Sequence, residues 1–146
     1  MQVQTTRFGN VEMRAEDVLL FPNGLLGMED CRHWVLLADA QNDALGWLQS
    51  LTRAEVALAV VSPRRYVPDY QLRVSRGELV PLALEDLKQA QVLAILGKNE
   101  NGMTLNLRAP VVINEERRVG RQVIANNDLP VQYELTPEPV RLRKSA

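Results

Sequence analysis

Short apolar runs separated by polar and turn-forming residues occupy most of the chain, a pattern typical of β-strands rather than of long helices. Three runs are almost wholly apolar: "WVLLA" at residues 34–38, "VALAVV" at residues 56–61 and "VLAILG" at residues 92–97. Each is rich in aliphatic side chains and bounded by polar or structure-breaking residues, which predicts strands buried on both faces. Two further stretches, "DVLLF" from Asp17 and "GWLQSL" from Gly46, predict additional strands.

Two glycine-containing turns predict hairpins between neighbouring strands. Gly9-Asn10 separates "VQTTRF" from "VEMR", and glycine at the first central position suits a two-residue turn. Asn101-Gly102 is a stronger turn signal, and it introduces the longest alternating run of the chain, residues 103–114.

Within residues 103–114 every second side chain is expected in the core, and the intervening ones are expected at the surface. The surface set is more polar than a strand that only builds a core requires, because it includes Asn106, Arg108 and Asn114. Pro110 belongs to the same set and has no N–H to give to a ladder, so it predicts a strand edge or a bulge.

Only one segment has helical periodicity. "PLALEDLKQAQ" at residues 81–91 places Leu84, Leu87 and Ala90 at helical spacing, after a proline that suits a first turn. Two prolines in "SPRRYVPDY" at residues 62–70 predict a loop. The expected fold is mainly β: a compact antiparallel β-barrel-like domain, closed or nearly closed, or a two-sheet sandwich, with one short helix.

Length and composition fit one ordinary globular domain, since the 146 residues are 46% hydrophobic and 24% charged. We expect residues 1–135 to form a single barrel-like domain and the basic, proline-containing residues 136–146 to form a flexible tail. The first residues lack the pattern of a signal peptide, and no apolar window is long enough to cross a membrane. The one cysteine excludes an internal disulfide, so the sequence predicts a cytoplasmic protein.

Residue types that carry catalysis are scarce. Cys31 and His33 would share one face of a strand, which leaves a nucleophile–base pair open, although a small structural role for Cys31 fits the adjacent apolar run better. Two ligands do not complete a structural zinc site, and no glycine-rich phosphate-binding motif is present. The sequence therefore predicts no catalytic residue, no metal site and no cofactor, and it favours a binding or regulatory module over an enzyme.

A small β-barrel nucleic-acid-binding protein is the alternative. "GLLG" at residues 24–27 has the form of a nucleic-acid-clamping loop, but that loop lies between helices in KH modules, and here it follows a strand. The basic runs at residues 117–121 and 141–144 contain no aromatic side chains on which bases would stack. The slightly acidic net charge also disfavours binding to phosphates.

Three motifs carry a resemblance to a known family. "FPNGLLGMED" at residues 21–30 resembles the F-P-x-G-L-x-G-F-E signature of the FliW family of flagellar assembly factors. "LNLRAPVVIN" at residues 105–114 is similar to the family's N-L-x-A-P-x-x-I-N strand, and "GRQVIANN" at residues 120–127 to its G-x-Q-x-I-x-x-N segment. The motifs occur in the family's order and spacing, and the resemblance covers residues 2–135. Met28 replaces the usual aromatic residue, and Leu129 and Gln132 replace a tyrosine and an arginine.

The resemblance implies a role that composition alone does not indicate. Members of the family bind the translational regulator CsrA and relieve its repression of flagellin mRNA. They also bind flagellin near its helical C-terminal part, so that free flagellin controls how much factor is left for CsrA. A compact barrel-like β fold is implied, without a cofactor, catalysis, a membrane or direct contact with nucleic acid.

Two sets of residues are candidates for function. The motif residues expected to shape loops are Phe21, Pro22, Gly24, Gly27, Pro110, Gly120, Gln122 and Asn126. The candidates for partner contact are Asn106, Arg108, Asn114, Tyr66, Tyr70, Glu29, Asp30, Glu115 and Glu116. For the polar strand residues the alternative is a solvated face, and for the tyrosines it is packing on the barrel. The carboxylates form a separate hypothesis, because acidic groups placed where RNA phosphates bind would antagonise an RNA-binding regulator.

Overall fold

The computed structural model of the protein describes residues 1–135. The prediction of a flexible tail concerns residues 136–146, which lie outside the described residues. Within residues 1–135 the only α-helix is α1 (Arg76–Leu79), and the strands are β1 (Gln2–Thr5), β2 (Gly9–Glu12), β3 (Leu19–Leu20), β4 (His33–Ala38), β5 (Leu45–Ser50), β6 (Ala57–Val61), β7 (Gln91–Asn99), β8 (Gly102–Asn114), β9 (Val119–Gln122) and β10 (Tyr133–Glu134). In this part of the chain no helix is long and apolar enough to cross a membrane.

Strands β3 to β9 form a closed seven-stranded barrel, which confirms the prediction of a mainly β, barrel-like fold. Antiparallel neighbours follow the order β8-β7-β6-β5-β4-β3. β9 closes the ring, because it pairs antiparallel with β8 and parallel with β3 at Leu20 and Val119. The hairpin β1-β2 forms a separate small sheet, and β10 extends the barrel sheet beside β8.

The interior of the barrel is filled by large apolar side chains from the predicted strands. Phe21 and Trp34 are both fully buried and meet edge to face, with ring centroids 6.3 Å apart. The indole Nε1 of Trp34 donates a hydrogen bond to the Cys31 carbonyl at 2.8 Å, so the one polar atom of this side chain is satisfied. Cys31 belongs to the same cluster, which confirms its interpretation as a small structural residue.

The expectation of one exposed face on β8 was wrong. Thr104, Pro110, Val112 and Asn114 are buried although they alternate with the core set, and Val112 is 0% exposed. A second apolar cluster accounts for the burial of Val112 and Asn114, because chain between β6 and β7 packs Leu82 and Leu84 over this side of the strand. Burial by a segment that is distant in sequence cannot be predicted from the alternation of the strand itself.

The helix predicted at residues 81–91 was also wrong in position. α1 ends before this segment, which instead contains two 3₁₀ turns at residues 80–82 and 87–89. Ala83 adopts a left-handed conformation with φ of 55° between them. Asp86 and Gln89 then form a capping box that starts the second turn. The apolar residues of the segment still pack in the cluster with Val112, so the periodicity indicated burial correctly but not an α-helix.

Both predicted hairpins are present, but each turn begins before the predicted residue pair. The β7-β8 hairpin turns at residues 100–101, and Gly102 has φ of 127°. In the first hairpin Thr5 pairs with Gly9, so the loop is residues 6–8 and not the predicted Gly9-Asn10. Gly9 follows the loop with φ of 68°, a left-handed conformation that glycine adopts without a steric cost.

Candidate functional site

The first motif forms a tight loop between β3 and β4, here called the motif loop (residues 22–31). Leu25 and Met28 face each other in an isolated bridge, and their backbones exchange hydrogen bonds of 3.3 and 2.8 Å. Gly24 and Gly27 have φ of 63° and 83°, which favours glycine at both positions. A Cβ on Gly24 would lie 2.5 Å from the Met28 carbonyl oxygen, whereas one on Gly27 would meet nothing within 4 Å.

The first and third motifs interlock at Phe21 and Gly120. Phe21 is completely buried, and its ring lies directly over the backbone of Gly120 in β9. A Cβ at position 120 would lie 2.3 Å from the ring Cζ, closer than non-bonded carbons approach. The glycine is therefore required for the close approach of the ring, and its own φ is not in the left-handed region.

Gln122 joins all three motifs. Its Oε1 accepts a hydrogen bond from the Leu26 backbone N–H at 2.9 Å, in the motif loop. Its Nε2 donates to the Ala109 carbonyl at 3.0 Å, in the second motif. We name the set Phe21, Leu26, Ala109, Gly120 and Gln122 the motif junction. It brings residues that are far apart in sequence into contact and ties the motif loop to β8 and β9.

The second motif contains a large bulge, as Pro110 predicts. The β7-β8 register passes from Leu93–Val111 to Ile95–Asn106, so residues 107–110 are opposed by Ala94 alone. Asn106 closes the bulge, because its Oδ1 accepts from the Ala109 N–H at 3.0 Å. The Pro110 carbonyl accepts from the Val123 N–H at 3.0 Å. Strand β8 thereby changes neighbours from β10 to β9, which closes the barrel.

Asn114 holds its own loop and is not displayed. It is 6% exposed, its Nδ2 donates to the Leu82 carbonyl at 2.8 Å, and its Oδ1 accepts from the Arg117 N–H at 3.3 Å. Its predicted place on the surface was therefore wrong, and the physical cause is the same distant cover that buries Val112. Arg108, by contrast, is half-buried as a residue, but its side chain is 43% exposed and forms an ion pair of 3.0 Å with the exposed Asp128.

The third motif ends in two adjacent asparagines with different roles. The side chain of Asn126 is exposed, and its backbone N–H donates to the Arg73 carbonyl at 2.6 Å. Asn127 fixes the neighbouring segment with its side chain, since Oδ1 accepts from the Arg73 N–H at 3.0 Å and Nδ2 donates to the Gln71 carbonyl at 2.7 Å. The sequence analysis missed Asn127, although it stands in the same motif.

The two candidate tyrosines differ in burial. Tyr70 is 5% exposed, and its hydroxyl donates to the Leu107 carbonyl at 2.8 Å, so it packs on the barrel next to the bulge. Burial raises the pKa of this hydroxyl to about 12. Tyr66 is 39% exposed and stays accessible to a partner. Of the two alternatives, packing holds for Tyr70.

The four candidate carboxylates are exposed and form two separate pairs, one in the motif loop and one in the turn before β9. Glu29 accepts the Gly27 backbone N–H at 2.9 Å within the motif loop, and Asp30 pairs with Arg53 outside it, so both carboxylates are partly engaged. Glu115 and Glu116 lie in the turn that precedes β9, and they form no ion pair within residues 1–135. The charges of Glu115 and Glu116 are therefore less engaged by the protein's own residues than those of Glu29 and Asp30.

Catalytic chemistry is not assembled by these residues. Cys31 is buried whereas His33 is exposed, so they do not face each other. Among residues 1–135 no three His, Cys, Asp or Glu side chains are arranged to hold a metal ion. An ion pair that the sequence analysis missed, Arg121–Glu78 at 3.2 Å, is half-buried, and Glu78 also accepts the Ile124 N–H at 2.8 Å. It fastens α1 to the third motif and has a structural role.

Comparison with known proteins agrees with the interlocked motifs. The family model of the FliW protein matches residues 2–135. The flagellar assembly factor FliW of Bdellovibrio bacteriovorus is 38% identical over 135 residues, which are 90% of this chain and 77% of that protein. The flagellar assembly factor FliW of Caldanaerobacter subterraneus is 33% identical over 131 residues, 88% of this chain and 87% of that protein.

A solved structure gives the same result for the fold. The crystal structure of the flagellar assembly factor FliW matches 96% of this chain and 100% of its own, with a TM-score of 0.86 and 27% sequence identity. Sequence and structure thus agree over nearly the whole chain. The chain belongs to the FliW family of flagellar assembly factors.

Proposed function

We propose that this protein is a cytoplasmic, non-enzymatic regulator that binds CsrA, relieves the repression of flagellin mRNA by CsrA, and also binds flagellin. Binding of flagellin then couples the flagellin level to its translation. The observation that carries the proposal is family membership over residues 2–135 with all three motifs interlocked in the motif junction. A module built from such contacts offers a rigid surface for protein recognition.

The buried motif residues determine the conformation of the motif loop and the barrel, so the exposed residues around them are the candidates for contact with a partner. Leu26 at the tip of the motif loop is 59% exposed, and the neighbouring Glu29 and Asp30 are exposed as well. Arg108 and Tyr66 remain candidates on the same grounds of exposure. Exposed carboxylates suit a partner whose natural ligand is RNA, because they present negative charge to the surface that binds phosphates.

Charge reversal separates the two acidic pairs. The variants Glu115→Lys/Glu116→Lys and Glu29→Lys/Asp30→Lys each replace two negative charges by two positive ones. A matched control is Glu85→Lys/Glu100→Lys, since both carboxylates are exposed and form no ion pair within residues 1–135. We expect about tenfold weaker binding of CsrA from the first variant, because several weak surface contacts change sign together. Unchanged binding by both acidic variants would reject the electrostatic mechanism.

Co-purification tests the proposed function itself. The tagged full-length chain is incubated with CsrA, with and without an excess of flagellin. CsrA is expected to be retained alone and to be lost as flagellin is added. Absence of binding to both partners contradicts the proposal for this chain, and direct retention of RNA in their place would favour the nucleic-acid-binding alternative.

A further inference from the structure

A cleft on the surface of the domain combines apolar and basic side chains. It has a volume of about 680 Å³ and is bounded by residues 62–64, 70–73 and 86–92. We name it the basic cleft. Its volume lies within the range of about 300–1,000 Å³ that is usual for small-molecule sites. The cleft is therefore large enough for a ligand of the size of a metabolite.

Half-buried apolar side chains form part of the cleft wall: Leu72, Leu87, Ala90 and Val92. Leu72 and Val92 each pack against two apolar clusters, the one that contains Tyr70 and the one that contains Val112. This apolar surface is therefore held from below by the interior of the domain. It offers contact to the apolar body of a ligand.

Three cations line the basic cleft: Arg64, Arg73 and Lys88. All three are exposed, and they form no ion pair within residues 1–135. The one carboxylate among the lining residues is Asp86, and its Oδ1 accepts the Lys88 backbone N–H at 2.9 Å. Residues 136–146 carry three basic side chains and one acidic one, so this part of the chain does not suit the cleft. The charge of the cleft favours an anion from outside the chain.

Two of these cations are held in place by hydrogen bonds. The Arg73 N–H donates to Asn127 Oδ1 at 3.0 Å, and the Arg73 carbonyl accepts from the Asn126 N–H at 2.6 Å. Arg64 donates from its Nε to the Tyr70 carbonyl at 3.2 Å, which fixes the guanidinium at the cleft. A guanidinium held in this way binds a carboxylate or a phosphate at a smaller entropic cost than a freely moving one.

From the apolar wall, the three cations and the hydrogen bonds that hold them, we infer that the basic cleft binds a small organic anion with an apolar body. A carboxylate, sulfonate or phosphate group of the ligand lies against Arg64, Arg73 and Lys88, and its apolar body lies against Leu72 and Leu87. This inference goes beyond the proposed regulatory function and does not rest on it, because neither CsrA nor flagellin enters the argument or its test.

The test uses the folded full-length chain and two fluorescent probes that share one aromatic body. Anilinonaphthalene sulfonate carries a negative charge, and N-phenylnaphthylamine lacks the sulfonate group. Fluorescence titration at low salt is expected to show saturable binding of the sulfonate probe, about tenfold tighter than that of the neutral probe. The backbone amide NMR signals of Leu72, Leu87 and Lys88 are expected to shift along the same titration curve.

Matched charge variants locate the site. Arg73→Glu/Lys88→Glu is expected to weaken binding of the sulfonate probe about tenfold. Arg65→Glu/Lys98→Glu makes the same change of charge at two exposed cations that do not line the basic cleft, and it is expected to change the affinity less than about twofold.

Urea unfolding of each variant verifies that the fold is retained, since this sulfonate probe also binds partly unfolded proteins. Four results would each overturn the inference: no saturable binding at millimolar probe, equal affinity for the neutral probe, equal affinity of the cleft variant and the unchanged protein, or an equal loss in both double variants.

Discussion

Substitution of Gly120 by alanine tests the contact that joins the first and third motifs. The added Cβ would lie 2.3 Å from Cζ and 2.6 Å from Cε1 of Phe21. Because Phe21 is 0% exposed and packs edge to face on Trp34, the ring has little free space into which it can move. Overpacking of a filled core costs about 1–3 kcal/mol, and we expect the upper end of that range.

Urea unfolding of the full-length chain measures this cost, and Gly77→Ala is the matched control. Gly77 is exposed within α1, and a Cβ there would have no neighbour closer than 4.0 Å. Alanine is therefore expected to leave the stability unchanged or to raise it by about 0.5–1 kcal/mol. A loss below about 0.5 kcal/mol for Gly120→Ala, no larger than ordinary surface substitutions give, would refute the reasoning.

A double-mutant cycle shows whether the cost arises from the ring. Phe21→Leu removes the ring atoms that the new Cβ would meet, at its own cost of about 1–2 kcal/mol. The double variant should lose less stability than the sum of the two single losses, by about 1 kcal/mol or more, as expected for residues in direct contact. Additive costs would assign the effect of Gly120→Ala to some other part of the barrel.

Three further predictions concern the motif junction and its surroundings. Gln122→Ala removes both side-chain hydrogen bonds that link the motifs, so we expect a loss of about 1–3 kcal/mol in urea unfolding, and an unchanged midpoint would contradict this role. Gly24→Ala should destabilise more than Gly27→Ala, since both require a left-handed backbone at about 1–2 kcal/mol but only Gly24 adds a clash, with the Met28 carbonyl; equal losses would contradict the structure. The raised pKa of Tyr70, about 12 against 10.0, means that its contribution to stability is complete below pH 10 and is lost as the pH rises toward 12. Urea midpoints of Tyr70→Phe should lack this alkaline loss, and parallel decline of the variant and the unchanged protein would show that another group titrates.

The strands and the hairpin at residues 100–101 were predictable because local signals specify them. Apolar runs such as residues 34–38 and 92–97 form strands as expected, although each is only partly buried, and the turn lies one residue before the Asn101-Gly102 signal. Pro110 also indicated the bulge correctly, since a missing N–H is a local property.

The positions of the polar side chains were less predictable because distant chain decides them. Asn114 and Tyr70 are buried by segments that reach β8 from elsewhere in the sequence. The parallel contact of β3 with β9, which closes the barrel, joins residues about one hundred positions apart. Asn126 and Asn127 are identical in type, so only the tertiary structure determines which side chain bonds the segment at Arg73.

The most direct test of the proposed regulation is release of RNA from CsrA. CsrA is saturated with a labelled flagellin leader RNA, the full-length chain is titrated in, and fluorescence anisotropy follows the bound RNA. The account predicts that the RNA is released as the chain is added, and that an excess of flagellin restores its binding to CsrA. RNA that stays on CsrA at a saturating concentration of the chain, or RNA that transfers to the chain itself, would contradict the account.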